Sequence, residues 1–214
     1  MIEAVIFDMD GTLVDTEPFH TEIERRQFNR YKIEISEEEH LQYLGVTSEV
    51  MWREIASKHS ISLSADELIK LNREESLNYF TELESIPVMP GLVEILDKLQ
   101  AKNYKLAVAS SSTPEIIDLV LTKANLKKYF LVIVSGSEVE NSKPAADIFL
   151  YTAQKLGVKP ANCVVIEDSP NGIIAAGAAQ MMCIAYEAPG VNPYKLREAD
   201  AIIQSYGQLG MILL

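Results

Sequence analysis

The chain has 214 residues, of which 48% are hydrophobic and 23% charged, a composition typical of a globular protein and not of a disordered one. Its 31 acidic and 19 basic side chains give a formal net charge of −12, which argues against a protein that binds nucleic acid by neutralising phosphates. The two cysteines do not form a secreted disulfide framework, and neither a signal peptide nor a membrane-spanning run is evident, so we expect a cytoplasmic protein.

Six short apolar runs predict the strands of a sheet. Most are continuous rather than alternating, which is typical of strands covered on both faces. From residue 100 onward they alternate with helical patterns over Thr113–Ala124, Ala145–Leu156 and Pro170–Ala179. This alternation predicts an α/β fold, a Rossmann-like parallel sheet core flanked by helices. The runs are Ala4–Phe7, Leu106–Ala109, Leu131–Val134, Cys163–Ile166, Met181–Tyr186 and Ala201–Ile203.

The stretch between the first two runs predicts an α-helical insert. It offers no convincing strand, and residues 16–90 hold 15 acidic and 8 basic side chains. The triplet Glu37–Glu39 is typical of a helix start, where acidic side chains suit the helix dipole. We therefore expect a core domain of residues 1–15 and 89–214 and an inserted helical domain of residues 16–88. Helices are predicted in the insert over Phe19–Tyr31, Val50–His59 and Ala65–Leu83.

Polar clusters follow four of the predicted strands. Ligands of open parallel sheets bind beyond the carboxyl ends of the strands, so the four clusters are expected to meet at one rim. Each has an ordinary structural alternative, since acids and serines commonly cap turns and helices and a lysine before proline can begin a helix. Their joint occurrence at the same strand ends favours a functional site. The clusters are Asp8–Thr12, Ser110–Thr113, Ser142–Pro144 and Glu167–Ser169.

This set of side chains suits the transfer of a phosphoryl group. Neighbouring carboxylates repel each other unless a cation lies among them, and hard oxygen ligands suit Mg²⁺. A lysine and hydroxyls beside such an ion form a pocket for a phosphoryl group. An aspartate can attack phosphorus to give an aspartyl-phosphate, and a second aspartate two residues away can serve as general acid and base.

Four segments together resemble the haloacid dehalogenase superfamily, in its phosphatase and beta-phosphoglucomutase-like branch with a helical cap. The resemblance covers essentially the whole chain. It implies a hydrolase of small phosphorylated metabolites that uses Mg²⁺ and an aspartyl-phosphate intermediate, with the insert as its cap. The segments read FDMDGTLVDTEP (7–18), VASSS (108–112), SKPAADIF (142–149) and VIEDSPNGIIAA (165–176).

The resemblance implies the catalytic and metal-binding residues. Asp8 would be the nucleophile and a ligand of Mg²⁺. Asp10 would be the general acid and base, and its backbone carbonyl would also bind the metal. Asp168 would bind Mg²⁺, with Glu167 either a ligand or a support of the ligands.

The resemblance also implies residues that bind the substrate. Ser110, Ser111 and Lys143 would hold the transferring phosphoryl group. His20 occupies a position near the hinge where related sugar-phosphate mutases carry a histidine, and its alternative is an ordinary surface residue of a cap helix. We expect substrate specificity to reside in Thr16–His20 and in the loop Tyr43–Glu49.

Two departures from the family pattern stand out. The beta-phosphoglucomutase pattern has an arginine after a Gly-Val of the cap, whereas Gly45–Glu49 has none; whether Arg53 or Arg73 substitutes is open. A missing grip on a second phosphate favours hydrolysis over a mutase reaction. The helix after Asp168 reads Ala-Gln at its end where the family has Ala-Gly, so Gln180 either costs about 1 kcal/mol or the helix ends differently.

The alternatives are a sugar-phosphate mutase and, less favoured, a non-catalytic binding module on the same fold. A dehalogenase is disfavoured because it does not need the second aspartate.

We expect a small phosphorylated metabolite as the partner, with no nucleic acid and no membrane, and a monomer or weak dimer.

Overall fold

The structure, a computed structural model that describes residues 1–43, 48–187 and 193–214, divides into two compact units. One unit consists of Met1–Asp15 and Ser85–Leu214, and the other of Thr16–Glu84. All the predicted strand runs lie in the first unit. Among the helices of the described residues, none combines the length and apolarity needed to cross a membrane.

The unit Thr16–Glu84 is built of helices in its described part. Its core packs Trp52 and Met51 against Phe28 and Leu68, all of them buried. Three helices match the predicted windows to within two residues at each end. The acidic triplet at residue 37 begins a fourth, where the Ser36 hydroxyl accepts a hydrogen bond from the Glu39 amide at 3.1 Å. The helices are α1 (Glu17–Tyr31), α2 (Glu37–Leu41), α3 (Ser48–Lys58) and α4 (Ala65–Glu82).

The other unit contains a six-stranded sheet in which every neighbouring pair is parallel. The Rossmann-like α/β prediction is therefore confirmed. The first strand lies in the middle of the sheet and all four of its residues are buried, which explains its continuous apolar run. The order is β3-β2-β1-β4-β5-β6. The strands are β1 (Ala4–Phe7), β2 (Lys105–Ser110), β3 (Val132–Ser135), β4 (Cys163–Glu167), β5 (Met182–Tyr186) and β6 (Ala201–Ile203).

The register of the three central strands aligns their carboxyl ends. Phe7 of β1 pairs with Val108 of β2 on one side and with Ile166 of β4 on the other. Asp8 therefore leaves the sheet at the level of Glu167. The predicted meeting of the polar clusters at one edge follows from this alignment.

Among its described residues this unit has five α-helices, and two of them were not predicted from the sequence. The helix that begins at Leu92 has buried leucine and isoleucine residues at helical spacing. This apolar pattern is typical of an amphipathic helix, so the helix could have been predicted. The last helix contains Gly207 and Gly210, whose low helix propensity hides the pattern. The helices are α5 (Leu92–Ala101), α6 (Pro114–Lys123), α7 (Asp147–Leu156), α8 (Pro170–Ala178) and α9 (Tyr206–Leu213). Short 3₁₀ turns span Lys127–Tyr129, Gly136–Glu138, Pro160–Asn162 and Pro193–Leu196.

Helix α8 ends in a left-handed residue, as the family pattern requires, although that residue is not glycine. Gln180 has a φ of 57°. Its amide donates to the Gly177 carbonyl at 3.0 Å, and the Met181 amide donates to the Ala176 carbonyl at 3.0 Å. These two bonds form a Schellman motif. The strain of the left-handed conformation therefore falls on Gln180, whose side chain is exposed.

We expect Gln180→Gly to raise the free energy of unfolding by about 1 kcal/mol, because glycine adopts the left-handed region without strain. Equilibrium unfolding in urea measures the change. Gly157, with a φ of 64°, ends α7 in the same way and provides the opposite control. Gly157→Ala is expected to lower the same free energy by about 1 kcal/mol. Destabilisation by both substitutions would contradict this account.

Candidate active site

The site is organised around the buried ammonium group of Lys143. Its Nζ atom lies 2.6 Å from Oδ1 of Asp8, 2.6 Å from Oε1 of Glu167 and 3.1 Å from the backbone oxygen of Ala109. Three donor hydrogens meet three acceptors, which come from the ends of β1, β2 and β4. Lys143, in the loop before α7, thus binds the ends of three strands through its ammonium group.

Glu167 is fully buried and its second carboxylate oxygen is also engaged. Oε2 accepts hydrogen bonds from the backbone amides of Asp168 and Ser169 at 3.0 and 2.9 Å and from the Ser169 hydroxyl at 2.9 Å. The same hydroxyl accepts from the Gly172 amide and so caps α8. Glu167 therefore links Lys143 to the turn between β4 and α8.

Two glycines lie where no side chain can fit, and both contact the carboxylates. A Cβ atom on Gly172 would lie 1.8 Å from Oε1 of Glu167. A Cβ atom on Gly11, whose φ is 76°, would lie 2.1 Å from Oδ2 of Asp168. Sequence reasoning did not single out Gly172, because close approach of a backbone to a carboxylate leaves no pattern in a single sequence.

The loop after β1 presents two aspartates. Asp8 is buried, whereas Asp10 is partly exposed and accepts a hydrogen bond at Oδ2 from the Ser112 hydroxyl at 3.2 Å. Thr12 is fully buried, and its hydroxyl lies 3.4 Å from Oδ1 of Asp168. The loop is thereby connected to the ends of both β2 and β4.

The three serines after β2 have different environments. Ser110 is buried and its hydroxyl accepts from the Ser112 amide at 3.1 Å, whereas Ser111 is exposed. Ser112 is the residue whose side chain contacts Asp10. The sequence analysis placed all three serines in one polar cluster but gave a role only to Ser110 and Ser111, because three consecutive serines give no indication of which hydroxyl turns toward an aspartate.

Three carboxylates form a group that can hold a metal ion. Ligand atoms of Asp8, Glu167 and Asp168 all lie within 4.8 Å of one another. Burial raises the pKa of Asp8 to about 8, against the opposing charge of Lys143 and with a further increase from Glu167 and Asp10. Burial, followed by the charges of Glu167 and Asp8, also raises the pKa of Asp168 well above its usual range. Ionisation of these buried carboxylates is unfavourable unless a cation lies close to them. Their oxygens are a donor set that suits a hard divalent cation.

Lys143 stays protonated in this environment. Burial lowers its pKa, but the charges of Asp8 and Glu167 outweigh burial and raise that pKa above the usual lysine value. The site therefore combines one fixed positive charge with an excess of carboxylates.

The remaining predicted residues lie in the helical unit. His20 is in α1, with its ring edge-on to Phe80 at 5.5 Å between centroids. Arg53 pairs with Glu49 at 3.1 Å and with Asp66 at 3.0 Å, and Arg73 lies 3.8 Å from Glu49. Both arginines thus have carboxylate partners within their own unit. Residues 44–47 of the predicted specificity loop lie outside the described residues.

At one edge of the parallel sheet lie an aspartate pair after β1, a lysine before α7 and a second acidic pair after β4. This arrangement is typical of one class of hydrolase. The family model of haloacid dehalogenase-like hydrolases matches residues 5–186, and the chain belongs to this family.

Individual relatives match over nearly the full chain. The phosphorylated carbohydrates phosphatase of Thermotoga maritima is 36% identical over 202 residues, which cover 94% of this chain and 93% of the relative. Hexitol phosphatase B of Escherichia coli is 32% identical over 213 residues, with 97% and 94% covered. The crystal structure of beta-phosphoglucomutase from Clostridium difficile is similar with a TM-score of 0.82 at 28% identity, covering 98% of this chain and 93% of that one.

We expect Gly172→Ala to lower the free energy of unfolding by about 2 kcal/mol or more, because the new methyl group must displace the buried Glu167 carboxylate from Lys143. Gly177→Ala is the matched control, since it changes the same helix where an added Cβ atom would have no atom within 4 Å beyond the backbone of its own helix. It is expected to be neutral or stabilising by up to about 1 kcal/mol. Urea unfolding of both variants measures the difference, and equal stabilities would contradict the close packing.

Proposed function

We propose that this hydrolase is a Mg²⁺-dependent phosphatase of small phosphomonoesters that forms an aspartyl-phosphate on Asp8. The observation that carries the proposal is the contact between Lys143 and Asp8 at 2.6 Å, inside a group of carboxylates that fits a cation. A buried lysine beside a nucleophilic carboxylate can also neutralise the oxygens of a phosphoryl group that reaches it.

Asp8 and Asp168 would hold the metal ion through their carboxylates and Asp10 through its backbone carbonyl. When bound, the ion neutralises the carboxylates and part of the charge of the phosphoryl group. Both oxygens of Glu167 already accept hydrogen bonds from Lys143 and from the turn into α8. We therefore assign Glu167 to positioning Lys143 and Asp168 rather than to direct ligation.

The reaction follows from the two aspartates. An oxygen of Asp8 attacks phosphorus and forms the new P–O bond, while the bond from phosphorus to the ester oxygen breaks. Asp10 gives its proton to that leaving oxygen. Asp10 then takes a proton from a water molecule that attacks the phosphorus of the aspartyl-phosphate, which releases inorganic phosphate and restores Asp8. The Ser112 hydroxyl would orient Asp10 through its 3.2 Å hydrogen bond.

The substrate class is a small phosphorylated metabolite, such as a sugar or polyol phosphate. Two relatives that match this chain over nearly its full length are named for phosphorylated carbohydrates and for hexitol phosphates, which supports this class. The helical unit is our candidate for the family's cap domain, with Thr16–His20 contributing to specificity. A cytoplasmic location and a monomer or weak dimer remain predictions from the sequence.

The second candidate is a sugar-phosphate mutase, which the similarity to beta-phosphoglucomutase favours. A mutase must also bind a second phosphate. Arg53 and Arg73, the cations considered for that task, are paired with Glu49 or Asp66, which favours hydrolysis. A steady-state assay with beta-glucose 1-phosphate and a trace of bisphosphate distinguishes the two. Glucose 6-phosphate formed faster than free phosphate would establish the mutase instead.

We expect Asp8→Asn to lower kcat for phosphomonoester hydrolysis by at least about 10³-fold, since an amide is a poor nucleophile. The fold is expected to persist, because the carbonyl oxygen of the new side-chain amide can still accept a hydrogen bond from Lys143. Phosphate release from a panel of sugar phosphates measures the activity, and circular dichroism measures the fold. Asp118→Asn, on the surface of α6, is the control and is expected to retain activity. Retained turnover in the Asp8 variant would exclude Asp8 as the nucleophile.

We expect excess EDTA to abolish hydrolysis and added Mg²⁺ to restore it, because without a cation the carboxylates repel an anionic substrate. Phosphate release before and after metal addition is the measurement, with elemental analysis of the treated protein as the control. Undiminished turnover by metal-free protein would contradict the requirement for Mg²⁺.

A further inference from the structure

Tyr206, the first residue of α9, is a fully buried tyrosine far along the chain from the four motif segments. Its ring stacks on that of Tyr186, with centroids 5.0 Å apart and an angle of 20° between the planes. Its hydroxyl donates a hydrogen bond to the backbone carbonyl of Thr12, in the loop that carries Asp10. The C-terminal helix is thereby attached to the loop that follows the proposed nucleophile.

The backbone that receives this hydrogen bond lies directly against Asp168. The Thr12 hydroxyl is 3.4 Å from Oδ1 of Asp168, a contact longer than the roughly 2.5–3.0 Å of a typical O–H···O hydrogen bond. The adjacent Gly11 approaches so closely that a Cβ atom would be 2.1 Å from Oδ2 of the same carboxylate. A small shift of the loop at Thr12 would therefore move, or release, the Asp168 side chain.

We propose that Tyr206 is a positioning residue that fixes the Asp10–Thr12 loop against Asp168 and so sets how tightly the site holds a divalent cation. The inference rests on the proposed function, which assigns Asp168 and the Asp10 carbonyl to the metal. Tyr206 acts only through Thr12. Residues that hold metal ligands in place commonly contribute roughly 10- to 100-fold to metal affinity.

Two tyrosines that stack on each other provide a matched test. Tyr206→Phe removes the hydroxyl that binds Thr12 and leaves the ring in place. Tyr186→Phe makes the same chemical change in the neighbouring buried ring, which stacks on Tyr206 and, within the described part of the chain, shows no hydrogen bond to the loop Asp10–Thr12. Isothermal titration of the purified proteins with Mg²⁺ gives the dissociation constant without reference to catalysis. Thermal unfolding without metal reports any general loss of stability.

We expect Tyr206→Phe to raise the dissociation constant for Mg²⁺ by roughly 10-fold. Tyr186→Phe is expected to leave that constant unchanged. Thr12→Val, which removes the hydroxyl beside Asp168, is expected to weaken Mg²⁺ binding as well. The double variant Thr12→Val/Tyr206→Phe should then lose less than the sum of the single losses in binding free energy, because both changes act on one loop.

Equal Mg²⁺ affinity in the two tyrosine variants would overturn the inference, and so would a Tyr206→Phe protein that only unfolds at a lower temperature. Additive losses in the double variant would also overturn it. If the wild-type protein hydrolyses phosphomonoesters and all variants bind Mg²⁺ with the same affinity, this inference alone is overturned. Mg²⁺ binding without hydrolysis of any phosphomonoester overturns the proposed function alone, and no Mg²⁺ binding by the wild-type protein overturns both.

Discussion

The ammonium group of Lys143, buried between Asp8 and Glu167, is the interaction on which the site depends. It lies 2.6 Å from each carboxylate and also binds the end of β2, so it ties three strand ends into one cluster. Removing the lysine would leave buried carboxylates with no fixed positive charge, which is strongly unfavourable. The parallel register of the central strands brings these groups to the same level, and the turn into α8 holds Glu167 in place.

The net charge of −12 at first argues against a protein that handles anionic substrates. The structure resolves this conflict locally, because Asp8, Glu167 and Asp168 lie together where a cation fits. Burial raises the pKa values of Asp8 and Asp168, which means that their ionised forms are unfavourable unless a cation lies beside them. A divalent ion together with Lys143 would offset the charge of these three carboxylates, so the acidic net charge of the chain does not exclude an anionic substrate.

Much of the fold was predictable because parallel strands covered on both faces leave continuous apolar runs, and all six were found. Helix α9 was missed because its glycines weaken the helical pattern. In the site, the motif aspartates and Lys143 were predicted from their places after strands. The sequence did not predict the contacts of three further residues, because each contact joins the residue to a carboxylate or a carbonyl that only the folded chain brings near. These residues are Ser112, Gly172 and Tyr206.

If Asp8 is the nucleophile, it becomes phosphorylated during turnover, and that phosphoryl group can be detected directly. The wild-type protein is mixed with Mg²⁺ and a sugar phosphate that it hydrolyses, quenched in acid within the first turnovers and digested for mass spectrometry. We expect a phosphoryl group on Asp8 that disappears when substrate is exhausted and never forms in Asp8→Asn. Steady phosphate release with no phosphorylated Asp8 at any quench time, or with the phosphoryl group on another residue, would contradict it.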